Sequence, residues 1–241
     1  MKNTKNYNNK CEPAQPDVVG KPVRDIPIQT RAVSGIMPQG WRYESSLERD
    51  FMVSMSFEPD FEDLVPQPLT ISYSDRSGQQ RRYTPDALVS FQADPPLGQA
   101  PRNPWLCEVK YRADCRSSWR KLLPKYRAAK MFAQEKGWEF HIFTELELRG
   151  PYLENLYFLR MFLRRCDDRY LAHAILDKIW DLQITDPHAL LHIMFQHPDN
   201  RAAALPIIWF LVATRRVGAK LHEPLNMFTP IWHLEGMNEP L

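Results

Sequence analysis

Two short stretches of this chain hold residue types and spacings suited to phosphoryl chemistry. Asp86 follows Pro85 in "YTPDALV", and Glu108 and Lys110 stand two apart in "WLCEVKY", 22 positions beyond Asp86. Residues two apart on a strand point to one face. Two carboxylates converging from adjacent strands can hold a hard divalent cation through oxygen, and Mg²⁺ suits such a pair because it keeps water and phosphate oxygens as its other ligands. A lysine on the same face can orient or deprotonate an attacking water and offset developing negative charge. A plainer reading stays open: Glu108 and Lys110 as a salt bridge on a solvated sheet face, and Asp86 as a turn residue after Pro85. An upstream acid, Glu48 in "ESSLERDF", is available from a helix, with Glu44 a competitor. By the plainer reading Glu48 is a charge favoured at a helix N-terminus.

The elements that must position these groups follow from periodicity. Leu47, Phe51 and Met55 recur every four residues in "SSLERDFMVSMSF" (45–57), which predicts an amphipathic helix capped by Ser45 or Ser46. "EPDFEDLVPQP" reads as turn and loop. "LTISY" (69–73) and "RRYTPDALVSF" (81–91) read as two strands of a hairpin about "SDRSGQQ". "WLCEVKY" is a third strand, residues 117–137 a helix with Pro124 inside it and Gly137 closing it, and "WEFHIFTE" (138–145) a fourth strand. Strand, helix, strand over 105–145 is a crossover unit, so those strands are expected to be parallel. Beyond Gly150-Pro151 the pattern is helical, at 152–165, 169–183, 186–196 and 201–217, before two short strand-like segments. Three helices and a terminal hairpin give a winged-helix outline. The expected organisation is a polar, Pro-rich arm at 1–40, an α/β domain at 41–150 with a mixed sheet flanked by helices, a connecting helix at 151–168, and a winged-helix-like domain at 169–241.

Composition narrows the class. The chain has 241 residues, 44% hydrophobic and 25% charged, with a net charge of +2, the balance of a soluble globular protein. No apolar run reaches 18 residues and the N-terminus has no apolar core, so neither membrane insertion nor secretion is expected, and a cytoplasmic location is. Four scattered cysteines without CxxC spacing suit free thiols in a reducing compartment and no structural zinc. The segment 110–130 is crowded with Lys and Arg against a single Asp, a basic stripe of the kind that meets phosphates. Lys121, Lys125, Arg127 and Lys130 lie on the helix after the third strand, and Arg112 and Arg116 flank that strand. All six are candidate DNA-backbone contacts, with an ordinary solvated helix face as the alternative.

Pro-Asp followed by Glu-x-Lys is the signature of the PD-(D/E)xK nuclease superfamily, whose fold is restriction-endonuclease-like. Within it, the chain resembles TnsA, the endonuclease subunit of heteromeric transposases in Tn-seven-like elements. The resemblance rests on "SSLERDF", "FEPD…QP", "YTPD", "EVK", "KYRAA", "GWEFHIFTE" and "RAVSGIMP". It covers about residues 31–160, and more weakly the C-terminal "LPIIWFLVATRRVGAKLHEPLNMFTPIWHL". It implies a catalytic set of Glu48, Asp86, Glu108 and Lys110, with Asp86, Glu108, Glu48 and the Val109 carbonyl as ligands for Mg²⁺ (or Mn²⁺). It implies cleavage of the 5′ strand of double-stranded DNA at transposon ends, beside a TnsB-like DDE transposase and a TnsC-like AAA+ ATPase. A cytoplasmic bacterial protein that joins the nucleoid during transposition is also implied, and compact versions accompany CRISPR-guided elements. Two rival readings are a non-catalytic scaffold of the same fold and a standalone restriction or repair nuclease.

Other features fit structure. His188 and His192 stand at i, i+4 without a third ligand, and Trp180, Phe195, Trp209 and Phe210 read as C-terminal core. Arg215, Arg216 and Lys220 precede the expected wing, where DNA contact and protein docking are both open.

Overall fold

The computed structural model describes residues 33–95, 99–163 and 168–234. Most of the expected arm, residues 1–32, lies outside these. The chain divides into two compact units that do not follow chain order: Met1–Glu44 with Asp60–Ile142, and Ser45–Pro59 with Phe143–Leu241. Helix α1 (Ser46–Met55), expected to open the nuclease domain, therefore groups with the C-terminal residues.

In the first unit, β1 (Gly35–Ile36) and β2 (Arg42–Tyr43) form a small hairpin, turning at Gly40 with φ +89°. The main sheet has the order β3-β6-β7-β8, from β3 (Phe61–Pro66), β6 (Ala87–Phe91), β7 (Trp105–Val109) and β8 (Glu139–Phe143). β3 and β6, and β6 and β7, pair antiparallel. β8 joins beside β7 after the crossover helix α2 (Arg112–Glu135), the connection that parallel neighbours need. A separate hairpin, β4 (Ile71–Ser74) and β5 (Gln80–Tyr83), lies against α2. The core joins the three parts: Ile71 and Tyr83 from the hairpin, Leu88 and Leu106 from the sheet, and Ala129 and Ala133 from α2, with Trp138. Leu122, Tyr126, Ala129 and Ala133 recur at helical spacing and are α2's buried residues.

Several expectations are corrected. "FEDLVP" was expected as loop and is β3; two acids and a proline hide a strand whose inward residues Leu64 and Pro66 are buried. The expected strand 81–91 is two strands in two sheets, parted at Thr84-Pro85-Asp86, because Pro85 has no N–H to continue a ladder. Helix α2 starts at Arg112 and not at 117: its first turns, "RADCRSS", are polar all round and leave no apolar period to detect. It runs through Pro124 undivided. Its end matches expectation, with Gly137 at φ +72°. Trp138 N donates to Ala133 O at 2.8 Å and Gly137 N to Gln134 O at 3.1 Å, a Schellman closure.

The second unit holds α1, α3 (Glu145–Leu148), α4 (Pro151–Leu159), α5 (Arg169–Leu182), β9 (Ile184–Thr185), α6 (Pro187–Met194), α7 (Pro198–Ala213), β10 (Val217–Ala219) and β11 (Ile231–His233). Asp168 and Asp186 cap α5 and α6 through Leu171 N at 2.9 Å and Ala189 N at 2.8 Å. β9, not foreseen, makes an antiparallel sheet of order β10-β11-β9. α4 ends at Leu159, short of the expected 165, and α7 ends at Ala213, short of 217, where Arg215 at φ +60° turns the chain into β10. Leu156, Leu159, Ile175, Ile179, Leu190 and Ile208 are fully buried. Asp50 of α1 is buried and accepts from Tyr157 Oη at 2.7 Å and Arg149 Nε at 3.0 Å, tying α1 to α4. Burial, then the bond to Asp50, pushes the Tyr157 hydroxyl up to about 12.

Asp60, 0% exposed, is the first unit's fully buried charge. Arg102 satisfies it with two hydrogen bonds, one at 2.7 Å from Nε and one from the terminal nitrogen, while its guanidinium lies 3.8 Å from the Phe91 ring centre. Removing one partner of such a pair leaves an uncompensated charge. Arg102→Met is expected to lower stability by about 3–5 kcal/mol in urea denaturation. Adding Asp60→Asn to that variant should restore part of the loss; a double variant no more stable than Arg102→Met would show the charge is not the cause.

Candidate active site

Asp86 is placed by its backbone. Its N–H donates to Cys107 O at 3.0 Å and its carbonyl accepts from Gln67 N at 2.9 Å, so it is clamped between β3 and β7 at the start of β6. Ala87 pairs with Cys107 in the antiparallel register, so Asp86, just before β6, lies beside the end of β7 that carries Glu108. Asp86 Oδ2 accepts from Val109 N at 2.7 Å, holding the carboxylate against the end of β7. Sequence reasoning expected these two acids together, and the sheet brings their backbones to one place.

Glu108 is 4% exposed, and its oxygens are filled by three donors. Tyr83 Oη donates to Oε2 at 2.6 Å, and Lys125 Nζ at 2.8 Å and Tyr126 Oη at 3.1 Å donate to Oε1. Such a set is what makes a buried carboxylate tolerable, since an unpaired charge away from water is costly. Burial and then the Glu108 charge push both phenols well above their ordinary value of 10.0, so Tyr83 and Tyr126 stay neutral donors. Burial, and then Asp86, push the Cys107 thiol up as well, leaving it protonated.

Lys125 was expected among the outward phosphate contacts. Its neighbours Lys121, Arg127 and Lys130 are exposed, as are Arg112 and Arg116, but Lys125 turns inward to Glu108. Its ammonium also stands 4.4 Å from the Tyr83 ring centre and 5.0 Å from that of Tyr126. Lys110, expected beside Glu108, follows the last residue of β7 and is half-buried; among the described residues its ammonium has no hydrogen bond or ion pair.

Tyr83 and Tyr126 are the residues the sequence reading missed as site groups. Both sit inside quoted runs, "YTPD" and "KYRAA", and Tyr126 shares the buried period of α2, so a hydroxyl on an inward face was the available signal. Gln67 takes a left-handed backbone at φ +48°, donates its side-chain amide to Glu44, and keeps a buried Oε1 without a partner among the described residues. Glu48 stands on α1 in the second unit. There Ser45 Oγ accepts from Glu48 N at 3.2 Å and donates to Glu48 Oε1 at 2.9 Å, the cap geometry of the plainer reading. Among the described residues no three His, Cys, Asp or Glu side chains gather into one metal-binding group.

A mixed sheet flanked by α2, with Asp86 and Glu108 on neighbouring strands and Lys110 just after, fits a nuclease-like fold. Residues 58–145 match the family model for the TnsA-like endonuclease N-terminal domain, so this part of the chain is similar to that domain and supports a nuclease. No curated protein matches the chain. Among the described residues no helix is long and apolar enough to cross a membrane.

The two phenols tie stability to pH. Both are protonated in the folded chain well above 10.0, whereas in the unfolded chain they ionise near that value. Their contribution is complete below about pH 10 and is lost as pH rises beyond it. Absorbance at 295 nm should show part of the nine tyrosines ionising only together with loss of circular dichroism. Tyr157, also pushed up, leaves a late component of its own, so in Tyr83→Phe/Tyr126→Phe the late component should shrink by two tyrosines; an unchanged amplitude would assign it to other tyrosines.

Proposed function

We propose that the chain is a Mg²⁺-dependent (or Mn²⁺-dependent) endonuclease that hydrolyses the 5′ strand of double-stranded DNA at transposon ends, working with a TnsB-like transposase and a TnsC-like AAA+ ATPase. The observation that carries this reading is the Asp86 carboxylate held at 2.7 Å by Val109 N, next to Glu108 on β7, inside the residues that match the TnsA-like endonuclease model. The donor set suits the ion: two carboxylates are about what Mg²⁺ takes from protein at phosphate-processing sites. The buried, unpartnered Gln67 Oε1, on a residue bonded to the Asp86 backbone, adds a further oxygen without a donor.

Asp86 and Glu108 would hold the cation, with the Val109 carbonyl as a further ligand. A bound divalent ion would supply Lewis-acid stabilisation of charge on the phosphoryl oxygens. Lys110, whose ammonium is not engaged by the described residues, would orient the attacking water or take its proton. Tyr83 and Tyr126 hold Glu108 in one orientation, and the exposed Arg112, Arg116, Lys121, Arg127 and Lys130 would meet the phosphate backbone without reading bases. In the second unit, the order α5–β9–α6–α7–β10–β11 and the sheet order β10-β11-β9 support a winged helix, which we assign to docking a protein partner.

A second reading, a non-catalytic scaffold with this fold, draws on Glu108 being filled by three donors. One experiment separates the two. Transposon-end DNA is offered to the protein with its transposase and ATPase partners, and each strand's cleavage is followed. Asp86→Ala should lower 5′-strand nicking by about a thousandfold, the scale of several kcal/mol of lost charge stabilisation, and leave the other strand's chemistry intact. Undiminished nicking would remove Asp86 from the reaction and favour the scaffold.

A further inference from the structure

The lysine bonded to the acidic centre comes from a helix 17 residues further on than Glu108. Lys125 Nζ is 2.8 Å from Glu108 Oε1, its side chain is 17% exposed, and two tyrosine rings flank it. The opposite charge of Glu108 is thus matched by an ammonium on the oxygen that it shares with the Tyr126 hydroxyl. A second cation approaching that oxygen meets a like charge a few ångströms away, in surroundings where repulsion is screened weakly. A divalent ion and the Lys125 ammonium therefore compete for Oε1. The lysine has somewhere else to go. It is carried on a flexible stem, one helical turn after the exposed Lys121, and a phosphate can replace Glu108 as its partner.

We propose that Lys125 is a positioning residue that couples DNA to the cation: its ammonium is the resident counter-ion of Glu108, and a backbone phosphate that draws it away opens Oε1 to the divalent ion. The inference rests on the two-acid nuclease reading above. Tyr83, on Oε2, keeps the carboxylate oriented while the lysine leaves. Coupling of this kind is reciprocal, so the cation tightens DNA binding by the factor by which DNA tightens cation binding. It would keep the site poorly charged until DNA is in place.

The test measures Mn²⁺ binding to the full chain by the electron paramagnetic resonance of free Mn²⁺, with and without a plain DNA duplex. In the wild type the duplex should raise Mn²⁺ affinity about tenfold. Lys125→Met should bind Mn²⁺ about tenfold more tightly than wild type without DNA, and the duplex should then change it by less than about twofold. Lys125→Arg, able to hold Glu108 through two parallel bonds, should bind Mn²⁺ more weakly than wild type without DNA. Equal Mn²⁺ affinity of wild type and Lys125→Met, or an undiminished response of that variant to the duplex, overturns the coupling. So does Lys125→Arg binding as tightly as wild type, which serves if the methionine variant fails to fold. In those cases Asp86→Ala abolishing Mn²⁺ binding shows that the two-acid site itself stands. No Mn²⁺ binding in wild type, with or without DNA, overturns both the coupling and the reading beneath it.

Discussion

A carboxylate cannot be buried alone, and Glu108 is nearly sealed from water. That constraint organises the first unit. The hairpin must come close enough for Tyr83 to reach one oxygen, and α2 must lie over the sheet with Lys125 and Tyr126 turned inward to reach the other. The apolar core of hairpin, sheet and α2 surrounds the same contacts, so packing and polar satisfaction demand one arrangement. The backbone clamp on Asp86 then brings the second acid to the end of the same strand.

Much of this frame was legible. β7 and β8 were found because short runs rich in aromatic and β-branched residues are bounded by breakers, and the end of α2 because Gly137 is a strong stop signal. The superfamily spacing led to expecting Asp86 near Glu108, and the Asp86 carboxylate accepts from Val109 N, next to Glu108. What failed had local causes. β3 carries its acids outward and a proline within, so its alternation is masked; the break at Thr84-Pro85 sends β5 and β6 to different sheets, a choice made by tertiary packing. The inward turn of Lys125 was invisible because a lysine beside a buried tyrosine looks like any basic residue at the border of a helix face.

The quoted runs also divide between chemistry and architecture. Asp60 of "FEPD" is consumed by Arg102, and Asp50 of "LERDF" by Tyr157 and Arg149. Tyr83 of "YTPD" and Tyr126 of "KYRAA" serve Glu108 directly. Acidic letters in such runs are therefore poor guides to catalysis by themselves; partners decide, and partners are a property of the folded chain. At the start of α1 it is the Ser45 hydroxyl that accepts from the Glu48 N–H, while the Glu48 carboxylate accepts from that hydroxyl.

Pro124 sits one residue before Lys125, inside an otherwise regular helix. Its ring has no amide to offer the turn below, so that turn goes without one of its hydrogen bonds. Replacing it with alanine would restore the bond and stiffen the stretch of helix that carries the ammonium. Durability of the rod and freedom of the side chain it holds are therefore set at one position.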